Sequence, residues 1–478
     1  MNAFRKYIGF GLLLFGIGYS GCKTIQPTIE QSDRKSMPPS FAQAKDSTNS
    51  ANINWRDFFA DKNLNLLIDT ALQNNYDVLM TLQKIQIAVC DLKLSKGALL
   101  PTVNSNFAYL QRKFGYYTMD DAGNRTTEIT PGKIIPTNLP DYFVGLQTSW
   151  EVDIWGKIHN KKKAAFSRYL SSVEGRSLVI TTLVSEVANT YYELLSLDNE
   201  LEIIRETIKL QLDAFEIVRI QRQAGAANEL AVKQFEAQVL NSQSLEFETL
   251  QSIQENENKL NFLLGRFPQP IVREKVNFQN QTPIQIKEGI PLQLLRNRPD
   301  IRQTEFELLA TKFDVKTARA AFYPSFNITG SIGFQAFNPS FVFYSPQSLA
   351  YSLLGGLTTP LINRSAIKAQ FNTAKANQIE AMINYQRTIL NGYSEVSNQL
   401  SSIKNLEQIH DRKTREAAAL TQSIDISTEL FKSGRATYFE VLMTQNNSLQ
   451  TRLDLVSTRK RQYQASVNLY KALGGGWR

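Results

Sequence analysis

An internal duplication constrains this chain more than any other feature of its sequence. At a constant offset of 223 residues, Asn75–Asn104 matches Arg298–Asn327. The matched positions include Asp77 with Asp300, Pro101 with Pro324, and Asn104 with Asn327. Two later glycines, Gly225 and Gly434, each lie 40 residues before the glycine of a Leu-Gly pair. A repeat of this length predicts two halves that share one structural plan.

Each half reads as a helix that ends before a proline, two extended segments, and two very long helices joined at a glycine. We assign the halves to residues 55–270 and 297–478, with hairpin tips near residues 225 and 434 and a linker at 271–296. The interval from the Asp landmark to the tip is 14 residues longer in the first half. The polar stretch Arg112–Asp141 is the predicted site of this extra length, as a longer loop.

The extended segments alternate with period two. In Tyr142–Ile154 and Ser325–Phe337 apolar residues occupy every second position, with weaker alternation in Thr102–Gln111 and Leu349–Leu361. Strands of ten or more residues with one apolar face are typical of transmembrane barrels. The alternative is a soluble sandwich, whose strands are usually shorter and more numerous.

The long helices carry seven-residue repeats that predict coiled-coil packing. In the first, the repeating residues are Ile180, Val187, Leu194, Leu201, Ile208 and Phe215; in the last they are Leu442, Leu449, Val456, Tyr463 and Tyr470. No proline interrupts residues 157–223, so that helix spans on the order of 100 Å. The alternative for such helices is a cytosolic coiled-coil rod.

Four amphipathic strands cannot close a barrel, because the smallest common barrel needs about eight. An open sheet edge in lipid leaves backbone groups without partners. Several chains must therefore contribute strands: two copies give eight strands and a filled interior, and three give twelve strands and room for water.

The N-terminus resembles an export signal. Arg5 and Lys6 precede a ten-residue apolar core, Ile8–Ile17, which is shorter than the ~20 residues of a membrane-spanning helix. Tyr19-Ser20-Gly21-Cys22 resembles the lipobox of bacterial lipoproteins, although Leu is usual at the position of Tyr19. The resemblance implies a signal peptide at 1–21, lipidation of Cys22 and a polar tether at 22–54. The alternative is an ordinary secretory signal.

Composition excludes several classes of function. Two His and two Cys are too few for a zinc cluster, a multi-histidine metal site or a disulfide scaffold, and no catalytic motif is present, so we expect neither an enzyme nor a bound cofactor. A net charge of +9 over 478 residues gives weak support for nucleic-acid binding. Lys161-Lys162-Lys163 is interpreted as meeting lipid phosphates, lining a pore or being solvated. Cys90 lies in a helical pattern and is expected to pack as a small apolar residue.

The duplicated plan, the junctions at Pro101 and Pro324 and the two glycine turns resemble the TolC-like outer-membrane factors, in particular the lipoprotein branch of bacterial efflux systems. The stretch Leu430–Leu442 looks like that family's second periplasmic hairpin tip. The resemblance covers nearly all of the mature chain. It implies a mainly α homotrimer in which a twelve-strand barrel in the outer membrane continues into a twelve-helix α-barrel. It also implies contact with outer-membrane lipid, a periplasmic adaptor and an inner-membrane pump, and the lipobox favours a proton-driven, RND-type pump.

The hairpin tips and a gate are the candidate sites. A turn between antiparallel helices favours glycine because it needs a positive φ. By resemblance, the tips dock the adaptor; their residues are Gly225, Ala226, Ala227, Gly434, Arg435, Ala436 and Thr437. Glu440 matches an acidic residue that rings the entrance of TolC-like channels, with Arg435 as its nearest cation; Met443 stands where the family often has a second acid.

The sequence thus predicts a passive efflux duct for small toxic compounds, drugs or metal ions. The duct of an ATP-driven protein or peptide secretion system is the alternative. A periplasmic coiled-coil adaptor would lack the long amphipathic strands, and an envelope enzyme would need a polar constellation that the sequence does not contain.

Overall fold

The computed structural model describes residues 38, 40–41, 49–274, 278, 286–287, 289–360, 362 and 364–477. Apart from Pro38, these residues belong to one compact unit, Pro39–Arg478. The predicted signal peptide, Cys22 and most of the predicted tether lie outside the described residues.

The end of the predicted tether is part of the folded body, which corrects the boundary at residue 54. A 3-10 helix occupies Ser50–Asn52, and the backbone N–H of Ser50 donates to the carbonyl of Lys287 over 3.0 Å. Ala51 is 1% exposed and packs in an apolar cluster that includes Leu294 and Ile301. Burial of Ala51 and this backbone bond hold the segment against the second half of the chain.

The first half begins with three helices and continues through strands into a helical hairpin. Asn75 caps the third helix, because its side chain accepts from the N–H groups of Asp77 and Val78. The elements are α1 (Trp55–Phe58), α2 (Lys62–Asn74), α3 (Tyr76–Gly97), β1 (Thr102–Lys113), α4 (Met119–Thr126), β2 (Glu128–Thr130), β3 (Lys133–Ile134), β4 (Asn138–Val152), α5 (Lys157–Gln223) and α6 (Glu229–Leu263).

The second half repeats the order of a helix, two long strands and a helical hairpin. A 3-10 turn at Pro291–Gln293 precedes it. Its elements are α7 (Leu294–Asn297), α8 (Pro299–Ala320), β5 (Ser325–Ala336), β6 (Leu349–Thr358), α9 (Arg364–Lys432) and α10 (Tyr438–Ala472).

The extra length of the first half is folded, whereas the sequence predicted a polar loop. Between β1 and β4 lie the helix α4 and the small antiparallel pair β2–β3. Thr118 caps α4 through its hydroxyl, and Gly132 supplies a positive φ of 81° for the turn between β2 and β3. Local capping and turn residues therefore build structure inside an insertion that composition alone marks as a loop.

The four long strands form one antiparallel sheet in the order β1-β4-β5-β6. The register places the apolar positions of neighbouring strands opposite one another: Phe107 faces Val144, Val144 faces Phe334, and Phe334 faces Leu349. The other face carries polar positions such as Asn104 and Gln147. One face of the sheet is therefore apolar along all four strands, as the period of two predicted.

Helices continue the sheet in the same order. The helices α3, α5, α8 and α9 pack side by side in that order. They are connected in the chain to β1, β4, β5 and β6, respectively, so the order of the helices matches the order of the strands. Toward the ends distant from the sheet, α5 packs against α6 and α10, and α9 packs against α10. The sheet and the helices thus form one continuous wall, with strands at one end and helices at the other.

The predicted seven-residue repeats supply the core of that wall. Val187, Leu194 and Val456 are fully buried, and Tyr470 is 2% exposed. Buried polar side chains of the helical wall bind one another: the guanidinium of Arg273 binds Asp198 through two hydrogen bonds, one of 3.0 Å from Nη2. The Tyr191 hydroxyl likewise donates to Asp61 over 2.6 Å, and burial together with this bond raises the pKa of Tyr191.

None of the helices in the described ranges has the length and hydrophobicity needed to cross a membrane. Cys90 is exposed on α3, so the prediction that it packs as a small apolar residue is wrong for the single chain. Its neighbours on that face of α3 are exposed as well.

Candidate functional sites at the hairpin tips and strand–helix junctions

The first tip is a glycine turn closed by backbone hydrogen bonds. Gly225 has a φ of 74°, as predicted. Its N–H donates to the carbonyl of Arg222 over 3.0 Å, and the N–H of Ala226 donates to that of Gln221 over 2.8 Å. This pair of bonds is a Schellman motif, which satisfies carbonyls at the end of α5. Asn228 then caps α6 by accepting from the N–H of Ala231.

The second tip has the same geometry. Gly434 has a φ of 71°. Its N–H donates to the carbonyl of Phe431 over 3.0 Å, and the N–H of Arg435 donates to that of Leu430 over 2.8 Å. A Cβ added to Gly434 or to Gly225 would meet no atom within 4 Å. Both tips are therefore fixed by their own backbone bonds and have free space around their turning residues.

An apolar cluster joins the two tips. Val218 from α5, Val232 and Phe235 from α6, and Val441 from α10 are all buried in it. Because these residues come from both halves, the predicted docking residues of the two tips lie at the end of one packed unit. The first tip also carries an exposed ion pair, in which Arg222 and Glu229 approach to 2.6 Å.

The predicted gate pair does not form within the chain. One carboxylate oxygen of Glu440 accepts from the N–H of Thr437 over 2.6 Å and from its hydroxyl over 3.1 Å. Among the described residues, Arg435 and Glu440 make no ion pair, and Arg435 is exposed. The carboxylate of Glu440 thus caps the start of α10. Thr-x-x-Glu is the sequence signature of a capping box, so this role was readable from the sequence.

Two indoles hold the junctions at Pro101 and Pro324. The indole N–H of Trp150 donates to the carbonyl of Leu99 over 3.0 Å, and that of Trp155 donates to the carbonyl of Pro324 over 2.7 Å. Trp155 also stacks on Tyr323, with ring centroids 4.9 Å apart. The prolines end the helices, and the indoles satisfy carbonyls at the turns into the strands. Neither indole contact was predicted from the sequence, because each joins residues far apart in the chain.

A carboxylate holds the start of α5 at the same junction. Asp153 accepts from the backbone N–H of Ile158 over 2.9 Å and from that of His159 over 2.7 Å, and the His159 ring lies 2.7 Å away. Burial raises the pKa of Asp153, but these hydrogen bonds and the His159 charge outweigh it, so the pKa lies below its usual value.

Two further glycine turns end the hairpins at their other ends, and they differ from the tips in their surroundings. Gly265 and Gly474 have positive φ and the same pattern of backbone bonds. A Cβ at Gly265 would overlap the carbonyl of Asn74, and one at Gly474 would overlap that of Asn297. These two glycines are required by close packing as well as by backbone conformation.

Asn75 and Arg298 occupy equivalent positions in the two halves, beside Gly265 and Gly474, but their side chains differ in charge. Asn75 donates its side-chain amide to the carbonyl of Leu263 over 2.9 Å. At the matching place Arg298 donates to the carbonyl of Ala472 over 2.8 Å, and it also binds Asp300. Burial lowers the pKa of Arg298, but the bonds and charge of Asp300 outweigh it and raise the pKa overall. The second half therefore uses a cation where the first uses a neutral amide.

Comparison with known proteins shows extensive similarity to one group. The sequence profile of a family described as outer membrane efflux protein matches residues 67–266 and 290–475. The cation efflux system protein CusC of Escherichia coli K12 is 27% identical over 428 residues, which cover 90% of both chains. The probable outer membrane lipoprotein SilC of Salmonella typhimurium is 27% identical over 466 residues, or 96% of both chains.

Solved structures agree with this similarity. A crystal structure of CusC, determined in connection with transmembrane channel formation, superposes with a TM-score of 0.80 at 25% identity and covers 92% of this chain and 97% of its own. The open state of the MtrE outer membrane channel of Neisseria gonorrhoeae gives a TM-score of 0.78 at 23% identity, with coverage of 93% and 98%.

Proposed function

This chain belongs to the outer membrane efflux protein family, and from that premise we propose that it is a passive duct for small toxic compounds, drugs or metal ions. Membership confirms the resemblance drawn from the sequence, the mainly helical fold class with barrel strands, and the location in the outer membrane. The chain is an outer-membrane channel component of an efflux system, and its family is one of channel proteins.

The two faces of the sheet are the main support for a duct. Its apolar face is exposed to an extent that water would not favour: Phe107 is 72% exposed and Tyr351 is 81% exposed. Its other face carries mainly uncharged amides and hydroxyls, among them Gln147, Asn327 and Ser331. An apolar face toward lipid and a hydrated, weakly charged face toward the lumen suit a channel that passes cargo without strong selection.

Three copies are the proposed assembly. In a single chain, β1 and β6 are the edges of the sheet, and such edges are excluded from lipid unless they pair. Pairing β6 of one copy with β1 of the next gives a closed barrel of twelve strands from three copies. The helices adjoin the strands in the same order, so the same pairing closes the helical wall.

The adaptor is proposed to dock on the two tips. Free space around Gly225 and Gly434 supports this role, as do their small neighbours Ala226, Ala227, Ala436 and Thr437. An inner-membrane pump of RND type would deliver cargo through that adaptor. Lipidation of Cys22 would add a second attachment to the membrane, and the relative SilC bears the name of a probable lipoprotein.

Cargo choice is proposed to lie outside this chain. Relatives of similar identity are named for different cargo: CusC for cations, OpmQ of Pseudomonas aeruginosa for pyoverdine, and SrpC of Pseudomonas putida for solvents. Within the described residues, no three His, Cys, Asp or Glu side chains are grouped to hold a metal ion. A common duct that serves different pumps fits both observations.

Purified protein in planar bilayers tests the duct and the assembly. We expect trimers that dissociate only on heating in detergent, and stepwise conductance with weak ion selectivity. Monomeric migration or the absence of conductance would contradict the proposal.

Substitution at the second tip tests docking. Gly434→Leu should leave trimers and conductance unchanged while reducing crosslinking to the adaptor and export. Gly434→Ala is the matched control, because it carries the same positive-φ strain with only a methyl group. Equal crosslinking of the two variants would remove Gly434 from the docking surface.

A further inference from the structure

Positive charge is concentrated where the helices meet the strands. Four twelve-residue segments adjoin the sheet: the end of α3 (86–97), the start of α5 (157–168), the end of α8 (309–320) and the start of α9 (364–375). Together they hold thirteen Lys and Arg but only two acids, Asp91 and Asp314. We call these four segments the basic belt. Its excess of eleven cations exceeds the +9 of the whole chain, so the remainder is slightly acidic.

Most of the cations in the basic belt have no carboxylate partner. Lys157 pairs with Glu151, and Arg168 pairs with Asp314 and Glu307. None of the other eleven takes part in an ion pair in the part of the chain that the structure describes, and all but the half-buried Lys162 are exposed. Elsewhere the molecule pairs many of its cations, as in Arg273 with Asp198 or Lys460 with Glu193.

Two aromatic rings lie among the cations of neighbouring helices. The ammonium groups of Lys163 and Lys316 lie 5.8 and 5.5 Å from the centre of the Phe313 ring. The guanidinium of Arg319 and the ammonium of Lys375 lie 5.9 and 5.0 Å from that of Phe371. Each ring thus lies beside two cations from different helices. The ring attracts these cations but carries no net charge, so their positive charge still favours the approach of anions.

We propose that the basic belt binds the phosphate groups of lipids in the periplasmic leaflet of the outer membrane. This inference rests on the proposed function, because it takes the apolar face of the sheet as the lipid-facing one. Twelve helical residues extend about 18 Å, and the headgroup layer extends roughly 5–8 Å beyond the hydrocarbon. The cations nearest the strands lie at headgroup depth, and long Lys and Arg side chains reach that layer from farther away.

The same cations could instead face the lumen and attract soluble anions. Charge distribution favours the lipid. On the polar face of the sheet, the residue nearest α5 is the acid Glu151, which Lys157 already neutralises. Unpaired cations from several copies would face one another across a lumen and repel, whereas on the outer circumference they diverge and each meets phosphate. Exposed aromatic rings at the junction, Trp155 stacked on Tyr323, are also typical of a membrane interface.

Lipid retention by the purified protein tests the proposal. The variant K161Q/K162Q/K163Q removes three belt charges. The control K209Q/K259Q/K404Q removes three exposed charges outside the belt, which make no ion pair with any residue that the structure describes. Each protein is incubated in detergent with phosphatidylglycerol or phosphatidylcholine, and retained lipid is counted by native mass spectrometry. Wild type and control should retain phosphatidylglycerol in preference, and the belt variant should bind it at least about tenfold more weakly.

Two further measurements separate the sources of the anion. Inorganic phosphate added as competitor should displace little phosphatidylglycerol if the acyl chains also contact the protein. Reversal potentials in a neutral bilayer should be the same for the belt variant and the control. Equal phosphatidylglycerol retention by the two variants, or loss of anion selectivity in the belt variant alone, would overturn the lipid assignment. Conductance itself reports on the duct, so failure of this proposal is distinguishable from failure of the proposed function.

Discussion

Four glycines with the same backbone geometry serve different purposes. Gly225 and Gly434 turn at the tips with open space around them, whereas Gly265 and Gly474 turn against the carbonyls of neighbouring helices. A sequence pattern of long helix, glycine and long helix identifies the positive φ at each place. It does not reveal whether a second constraint acts on the same residue, because that constraint comes from a segment far away in the chain.

Alanine substitution separates the two constraints. Gly434→Ala should cost about 1–2 kcal/mol, the strain of an L residue at positive φ. Gly474→Ala should cost about 2–5 kcal/mol in total, because its Cβ also forces Asn297 to move. Thermal unfolding of both variants in detergent measures the difference. Equal losses of stability in the two variants would show that Asn297 can move away from the added Cβ at no cost.

Glu440 permits a test that separates a gate from a helix cap. Glu440→Gln keeps an oxygen for the Thr437 N–H and removes the charge, whereas Glu440→Ala removes both. If Glu440 lines the aperture, both variants should lower cation preference in bilayers at low salt, where screening is weakest. Only Glu440→Ala should lose cap stability, by about 1 kcal/mol. Unchanged selectivity in both variants would leave Glu440 as a cap alone.

At the scale of elements, the start of α5 depends on pH through Asp153. The folded pKa of Asp153 lies below its ordinary value, so the unfolded chain takes up the proton first as pH falls. The stabilisation is complete above the unfolded value of about 3.9 and is lost as pH falls through the folded value. Asp153→Ala removes both acceptor oxygens, so it should lose about 0.5–2 kcal/mol at neutral pH and show a weaker acid dependence of unfolding. Parallel acid-unfolding curves would contradict this role.

Helices and strands that depend on local sequence patterns were predictable from the sequence. The long-range contacts that hold these elements together were not. Period two identified the faces of β4 and β5, and period seven identified buried residues such as Val187 and Val456. The carbonyl partners of Trp155 and Arg298 lie 169 and 174 residues away, respectively. No spacing in the sequence connects those residues, because the contacts exist only after both halves have packed together. The folded insertion around α4 was not predicted, because its helix and strands are short and consist mostly of polar residues.

At the scale of the whole molecule, the chain is one sector of a wall whose edges must be completed by other copies. The N–H of Gln335 donates to the carbonyl of Ser348 over 2.8 Å. In an antiparallel pair, hydrogen-bonded positions alternate along the strand. Ser352 and every second residue of β6 therefore bond to β5, while the N–H groups of Tyr351 and Leu353 point toward the free edge.

A proline at this edge tests whether it is where copies join. Leu353→Pro removes an N–H that the chain itself does not use, so the bonds between β5 and β6 should persist. The neighbouring copy would then keep an unpaired carbonyl at membrane depth, which costs several kcal/mol. We expect loss of the heat-dissociable trimer and of conductance. Leu353→Ala, which shortens the side chain but keeps the N–H, should retain both. Trimers of normal stability from Leu353→Pro would show that β6 is not the strand through which the copies close the barrel.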